Sequence, residues 1–297
     1  MNALPQQDAL TVRMPAASLT LLDEAELART THQTTRSLNG LTATLIGLID
    51  AIRSYSPTTR TRDSRTWGPF GPDAKQTKNL DWQTRLIISR DMLVATAFDF
   101  ELGVHEIGTA DTAWFDLIRG TFDAGTTASA GTGHIEIVLA AARAAGFDAS
   151  DWGNIDHVEI DYRNPRPTTD GDPIHIAMHI TDLDDDATDA LPAPTAAYDY
   201  RETAEEQGQM TFDVFANIVP PATQMEHVNI TSLWLPTGQG RAQMTVVSGD
   251  GAGAQQTECW NRLFQPTFNS KPWAPGEDVG TDPSVCVAIT PLSAPAF

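Results

Sequence analysis

The sequence predicts an α+β fold: a curved antiparallel meander of about ten strands, an incomplete barrel, covered by a long N-terminal helix and a second, shorter helix. Two observations predict it. Apolar residues over Leu38–Ile52 recur with the period of an amphipathic helix, and from residue 66 to 250 apolar and polar residues alternate in runs separated by short loops. Sequential strands joined by short loops pair antiparallel, because a parallel pair needs a long crossover. No low-complexity linker breaks the chain, so residues 1–297 read as one domain. Within it, 9–56 form an N-terminal strand and helix, 66–250 the sheet with a helix at about 134–146, and 251–297 an irregular tail.

Residues 9–15 read as a short strand with Leu10 and Val12 on one side, ended by Pro15. From Ser18 the period becomes helical. Thr20 is placed to cap, Asp23 and Glu24 suit the positive end of the helix dipole, and no proline occurs until Pro57. Leu38, Leu41, Leu45, Leu48, Ile49 and Ile52 then make a stripe to be buried, with a bend expected near Asn39-Gly40. An arginine- and threonine-rich connection, Pro57 to Arg65, leads to a short strand or turn at Trp67–Phe70.

Leu80–Ser89 and Met92–His105 read as long strands. In the second, Met92, Val94, Phe98, Phe100, Leu102 and Val104 share one face while Asp99 and Glu101 take the other, the pattern of a sheet with one buried side. Trp114–Phe122 follows, then a Gly/Thr/Ala-rich stretch, Gly125–Gly133, and a second helix at roughly His134–Ala145 closed by Gly146. Further strands are expected at Ile155–Arg163, Ile174–Leu183, Ala196–Arg201, Gln209–Ile218, Glu226–Leu235 and Arg241–Ser248, joined by Pro-, Gly- and Asp-containing turns. A last candidate strand lies at Val285–Thr290.

Lysine and arginine number 19 against 39 acids, a net charge of −20. Phosphate backbones and anionic lipid surfaces both need a positive patch, so this total opposes contact with them and argues against a nucleic-acid partner. Leu38–Ile52 is the most apolar stretch, yet it holds Asn39, Thr42, Thr44 and Asp50 and is too short and polar to cross a bilayer. The start, Met1-Asn-Ala-Leu-Pro5, has no basic region ahead of an apolar core, so a signal peptide is not expected within this chain.

The two cysteines bear on the compartment. Cys259 and Cys286 match no zinc spacing, and a disulfide between them closes a loop of about 28 residues, worth roughly 3.5 kcal/mol in chain entropy. Such a bond points to export. His175 and His179 would meet on a helix, but their apolar neighbours alternate, and on a strand the two rings lie about 13 Å apart. His157, Glu159 and Asp161 are expected to face them across a neighbouring strand as a polar stripe. Asp182, Asp184 and Asp186 are weak calcium candidates, since their loop lacks the glycine and distal glutamate of an EF-hand. Gly131-Thr-Gly133 lacks the Lys-Ser/Thr of a phosphate loop, and no G-x-S-x-G elbow occurs, so no cofactor is expected. Leu41, Leu45, Leu48, Ile52, Phe98, Phe100, Leu102, Phe212 and Trp234 are then the residues to line a packed core or a cavity under the helix.

The stretch Gly238-Gln-Gly-Arg-Ala-Gln-Met-Thr-Val-Val-Ser-Gly-Asp250, followed by Glu258-Cys-Trp260, Phe264 and Phe268, resembles the C-terminal pattern of uncharacterised exported bacterial lipoproteins. The helix-plus-meander layout is similar to that of periplasmic lipoprotein carriers. That resemblance implies an incomplete β-barrel lidded by helices over an apolar cavity, and it carries over no catalytic residues. The acidic loops and long tail depart from it. The expected function is an exported, non-enzymatic protein that binds a lipid, an acyl chain or an envelope partner in the concave face of its sheet. The alternatives are a structural or adhesion domain with a solid core, and a carbohydrate-active or hydrolytic enzyme using paired carboxylates.

Overall fold

The computed structural model describes residues 5–16, 24–72, 77–125, 130–152, 155–165, 172–181, 194–216, 224–274, 276–295 and 297. A helix, α1 (Glu26–Arg53), precedes the strands β1 (Thr59–Arg60), β2 (Ser64–Phe70), β3 (Trp82–Arg90), β4 (Ala97–Glu106), β5 (Phe115–Ala124) and β6 (Gly131–Val138). One turn and a half of helix, α2 (Ala140–Ala144), separates these from β7 (His157–Asn164), β8 (Ile174–Thr181), β9 (Thr195–Glu202), β10 (Gly208–Ala216), β11 (Glu226–Trp234), β12 (Gly240–Ser248), β13 (Gln255–Trp260) and β14 (Pro266–Ser270). All fourteen form one open antiparallel sheet in strict sequence order, so the meander is confirmed and the expected count of about ten strands is too low.

The strands missed from sequence have physical explanations. In β6, His134 and Glu136 face outward while Ile135 and Ile137 are fully buried, so the alternation of period two overrides the alanine-rich continuation, and the helix expected at 134–146 shrinks to Ala140–Ala144. β13 and β14 lie in the tail expected to be irregular. β13 hides its pattern because its inward residues include Gln256 and Glu258, both buried polar groups. Residues 9–15 and 285–290 are not in the sheet, although Leu10 and Val12 are buried together as expected. Met92 and Val94 precede β4 and are exposed.

Helix α1 lies along the concave side and buries Leu27, Ala28, Thr31, His32, Thr35, Leu38, Thr42, Leu45, Ile46, Ile49 and Ile52. The expected bend at Asn39-Gly40 does not interrupt it. The threonines enter the buried stripe because their hydroxyls find partners: Thr31 donates to the Leu27 carbonyl at 2.8 Å, Thr42 to that of Leu38 at 3.2 Å, and Thr35 to the Met210 sulfur of β10 at 3.7 Å. Asn39 is spent on the N-terminal segment, accepting from the Val12 amide and donating to its carbonyl, both at 2.9 Å.

The first turn of α1 has no side-chain cap of its own; Thr20 and Asp23 lie outside the described residues. Its orphan amides are instead taken by a carboxylate from the sheet. Glu258 on β13 accepts from the Glu26 amide at 2.8 Å and the Leu27 amide at 2.6 Å, while the Ala25 amide donates to the Phe264 carbonyl at 2.8 Å. Aromatic rings lie across cross-strand glycines on this face. Gly208, Trp234, Gly240 and Trp260 are neighbours in register, and a Cβ would come within 2.2 Å of the Trp234 indole at 208 and 2.4 Å of the Trp260 indole at 240. The same device pairs Phe100 with Gly120 and Tyr162 with Gly133, which explains glycine inside strands.

Cys259 and Cys286 form the expected disulfide, with Cα atoms 5.4 Å apart. From it the last residues run across the convex face. Arg241 donates to the Ile289 carbonyl at 2.9 Å, Arg201 to that of Leu292 at 2.5 Å, and the Leu292 amide to Gln209 at 2.8 Å. Phe297 stacks on His175 at 4.1 Å.

Two outcomes test these anchors. Burial, reinforced by the charge of Glu26 but opposed by the backbone N–H groups, pushes the Glu258 carboxyl above the ordinary 4.5. The folded chain then holds this proton more tightly than the unfolded chain. The group's stabilisation is present below pH 4.5 and lost as pH rises through its folded value. Glu258→Gln flattens that loss in urea titrations at several pH values, and Glu258→Ala, which strips the helix of its cap, costs about 2–3 kcal/mol. Replacing both cysteines by serine lowers stability by up to about 3.5 kcal/mol. Peptide masses with and without reductant check the pairing, and free thiols in the native protein would refute it.

Candidate functional site

The residues expected to line a cavity lie mostly under the helix, where they pack against one another. Leu45, Ile52, Phe98, Phe100, Leu102, Phe212 and Trp234 belong to one continuous buried cluster with strands β2 to β11, and Leu41 packs on its edge. Leu48 is 38% exposed and turns away, because the stripe that docks is centred on Thr42, Ile46 and Ile49.

The concave face opens where the helix stops. Beyond Arg53 a cleft of about 660 Å³ is lined by the helix end through Pro57, the β1–β2 hairpin and the ends of β3 and β4. Its floor is apolar: Trp67, Ile88 and Phe98 are all buried. The Trp67 indole N–H donates to the Tyr55 carbonyl at 2.9 Å, tying the chain after the helix to β2. The rim is cationic, carrying Arg53, Arg60, Arg62, Arg65 and Arg90.

Strand register explains how they converge. Arg60 is paired with Arg65 across the hairpin, Arg65 opposes Ile88, and Arg65 shares the face of Trp67 two residues on. Arg53 is paired with Asp50 at 2.9 Å and Arg90 with Asp63 at 3.1 Å. Arg60, Arg62 and Arg65 have no ion-pair or hydrogen-bond partner among the described residues. Among the described residues, Asp63 is the one carboxylate on the cleft wall. Planar guanidinium forks over a low-dielectric floor favour an oxyanion, carboxylate or phosphate, held through two of its oxygens.

The carboxylates that a hydrolase would need converge elsewhere. On the convex face a depression of about 240 Å³ over Ala177 and Ala197 is walled by Glu159, Asp161, His179, Asp199 and Asp213. Register sets Glu159 opposite His179, and Ala177 between Asp161 and Asp199, so the expected polar stripe exists. Its acids are already engaged: Asp161 with His134 at 2.8 Å, Asp213 with His227 at 2.6 Å, and Asp199 with His175 at 2.8 Å and Arg201 at 2.7 Å. Burial pushes the Asp199 carboxyl up, but the hydrogen bonds and charges of His175 and Arg201 outweigh it, leaving it below the usual carboxylate range. His175 and His179 are not a pair. The first is buried against Asp199, Pro295 and Phe297, and the second faces solvent. No group of three metal-ligating side chains occurs among the described residues, and Asp182, Asp184 and Asp186 lie outside them.

Compared with known proteins, the chain matches no family model, and no curated protein or solved structure is significantly similar to it. Function is therefore read from the chain's own chemistry. In the sequence the arginine rim has the look of a polar connection and no more. Its signal was present: Arg60-Thr-Arg62-Asp-Ser-Arg65, close behind Arg53, in a chain of net charge −20. Only the fold could add Arg90 and the apolar floor.

Arg60, Arg62 and Arg65 are exposed, and their side chains have no ion pair or hydrogen bond among the described residues, so each change to alanine shifts unfolding free energy by less than about 0.5 kcal/mol in denaturant titrations. A larger loss would mean that the rim holds the fold and is not free for a ligand.

Proposed function

We propose that this is an exported, non-enzymatic protein that binds an anionic amphiphile at the arginine-rimmed mouth of its concave face. The ligand class is a carboxylate or phosphate group attached to an apolar chain or ring. The observation that carries this reading is the set of three unpartnered arginines over a floor of Trp67, Ile88 and Phe98. The disulfide supports export, and a helix laid on one face of an open antiparallel meander leaves the end of that face beyond Arg53 accessible to a ligand. The expected lipid or acyl ligand is retained, but its place moves from the interior to the mouth, where Phe98 of the expected lining takes part.

A second reading, a structural or adhesion domain, is favoured by the filled interior around Leu45, Phe100 and Trp234.

Titration with decyl phosphate and decanoate, followed by calorimetry and by quenching of Trp67, separates the two. The amphiphile reading expects both anions to bind at least tenfold more tightly than decanol, since hydrogen bonds to charged groups contribute about 1.5–3 kcal/mol. It also expects binding to weaken with salt and to fall at least tenfold in the Arg60→Ala/Arg62→Ala/Arg65→Ala variant, about 1.4 kcal/mol. Equal affinity for decanol, or no binding of either anion, would leave the structural reading standing.

A further inference from the structure

The connection between β3 and β4 carries an apolar tip beside the cleft. Met92 is 86% exposed, Leu93 94% and Val94 46%, three consecutive large apolar side chains held in water. Turn tips are ordinarily polar, and contiguous exposed apolar surface marks a contact site. The tip is also built: Asp91 accepts from the Leu93 amide at 2.6 Å and the Val94 amide at 2.9 Å, its own amide donates to the Ala97 carbonyl at 2.9 Å, and the Ala97 amide closes on Val94 at 3.0 Å. One aspartate supplies all the side-chain turn chemistry, which leaves the next three positions free to carry apolar groups.

The neighbours of the tip give its partner. Arg90, immediately before Asp91, and Phe98, at the start of β4, both line the arginine cleft, so the apolar tip and the cationic rim share one pole of the molecule. Tyr55, 65% exposed on the same rim, adds an amphipathic ring of the kind that settles at a membrane interface. Of the acids near this pole, Asp50 is engaged by Arg53, Asp63 by Arg90 and Asp91 by its own turn, while Asp99 and Asp123 are exposed on β4 and β5 with their side chains on the opposite face of the sheet from Phe98 and Phe122. A chain of net charge −20 is repelled as a whole by an anionic bilayer, so contact needs a local cationic patch such as this one. A protruding apolar wedge flanked by unpartnered arginines matches both layers of such a surface, acyl chains below and anionic headgroups above.

We infer that the protein docks on an anionic lipid bilayer through this pole, with Met92, Leu93 and Val94 entering the headgroup–acyl boundary and Arg60, Arg62 and Arg65 taking the headgroup phosphates. This rests on the cleft reading for its charge and names the source of the anion. It also revises the exclusion drawn from total charge: the positive patch that an anionic surface requires is present, although the chain as a whole is acidic.

Co-sedimentation of the full chain with vesicles tests it, using phosphatidylcholine alone and phosphatidylcholine mixed with phosphatidylglycerol. The expected result is partitioning at least tenfold stronger onto the anionic vesicles, reduced by salt. Met92→Ser/Leu93→Ser/Val94→Ser should lose at least tenfold in vesicle binding while keeping its affinity for decyl phosphate, whereas the triple arginine variant loses both. Because the two native cysteines are tied to each other, Leu93→Cys can carry an environment-sensitive fluorophore, whose emission should rise and shift to the blue on anionic vesicles. If decyl phosphate binds but vesicles do not, or if the serine tip binds vesicles as well as the parent chain, docking is overturned and the cleft reading survives. If neither ligand binds, both fall.

Discussion

The buried carboxylate of Glu258 decides where the helix lies, and the rest of the molecule is arranged around that helix. Its two oxygens receive amides that an α-helix cannot satisfy within itself, and they do so from the middle of a sheet strand, where an unpaired charge would be costly. Around this contact the neighbouring polar groups close in pairs. Thr31 meets Ser232 at 2.7 Å, His32 bridges Glu24 and the Pro15 carbonyl, and Lys271 reaches Glu26 and Glu277. Polar groups thus pin one end of the helix to β11–β14, while its remaining turns bury aliphatic side chains against the earlier strands.

Pinning the N-terminal end sets the position of the other. The helix runs out at Arg53, short of covering Trp67, Ile88 and Phe98, and the chain then turns into the edge hairpin that bears the arginines. The mouth of the concave face is accordingly a consequence of helix length and of where its cap is held. Closer in, aromatic rings across Gly208, Gly240, Gly120 and Gly133 leave room for the helix backbone, so the interior closes and the mouth is left as the accessible part of the face.

Charge is divided between the two sides of the sheet. The convex side sets acids against histidines and arginines in register and is strapped by residues 286–295, which Cys259–Cys286 ties to β13. Its carboxylates are thereby hydrogen-bonded locally and form a mixed, solvated surface. The edge hairpin does the reverse, bringing arginines together with fewer acids than they need. A net charge describes neither side, because electrostatic attraction over a Debye length of about 10 Å depends on the local set of charges.

By itself the sequence determined the fold class, the antiparallel meander, the helix over Leu38–Ile52, the one-sided strand through Phe98 and Val104, and the cysteine pair. These are legible because each rests on a local period or a short inventory: apolar residues at helical spacing, alternation along one strand, two cysteines with no other partner. What only the tertiary structure decided depends on groups distant in the chain. β13 was hidden because Glu258 and Gln256 point inward to meet α1, some 230 residues away, and polar residues facing a core erase the alternation that marks a strand. Leu48 could not be told from Ile49 on the helix, since which one docks depends on how the capped end is seated. The site was legible only as a run of arginines. Arg53, Arg60, Arg65 and Arg90 meet over Trp67 and Phe98 because strand register and the end of a helix bring them together, and neither is written in the spacing of the residues themselves.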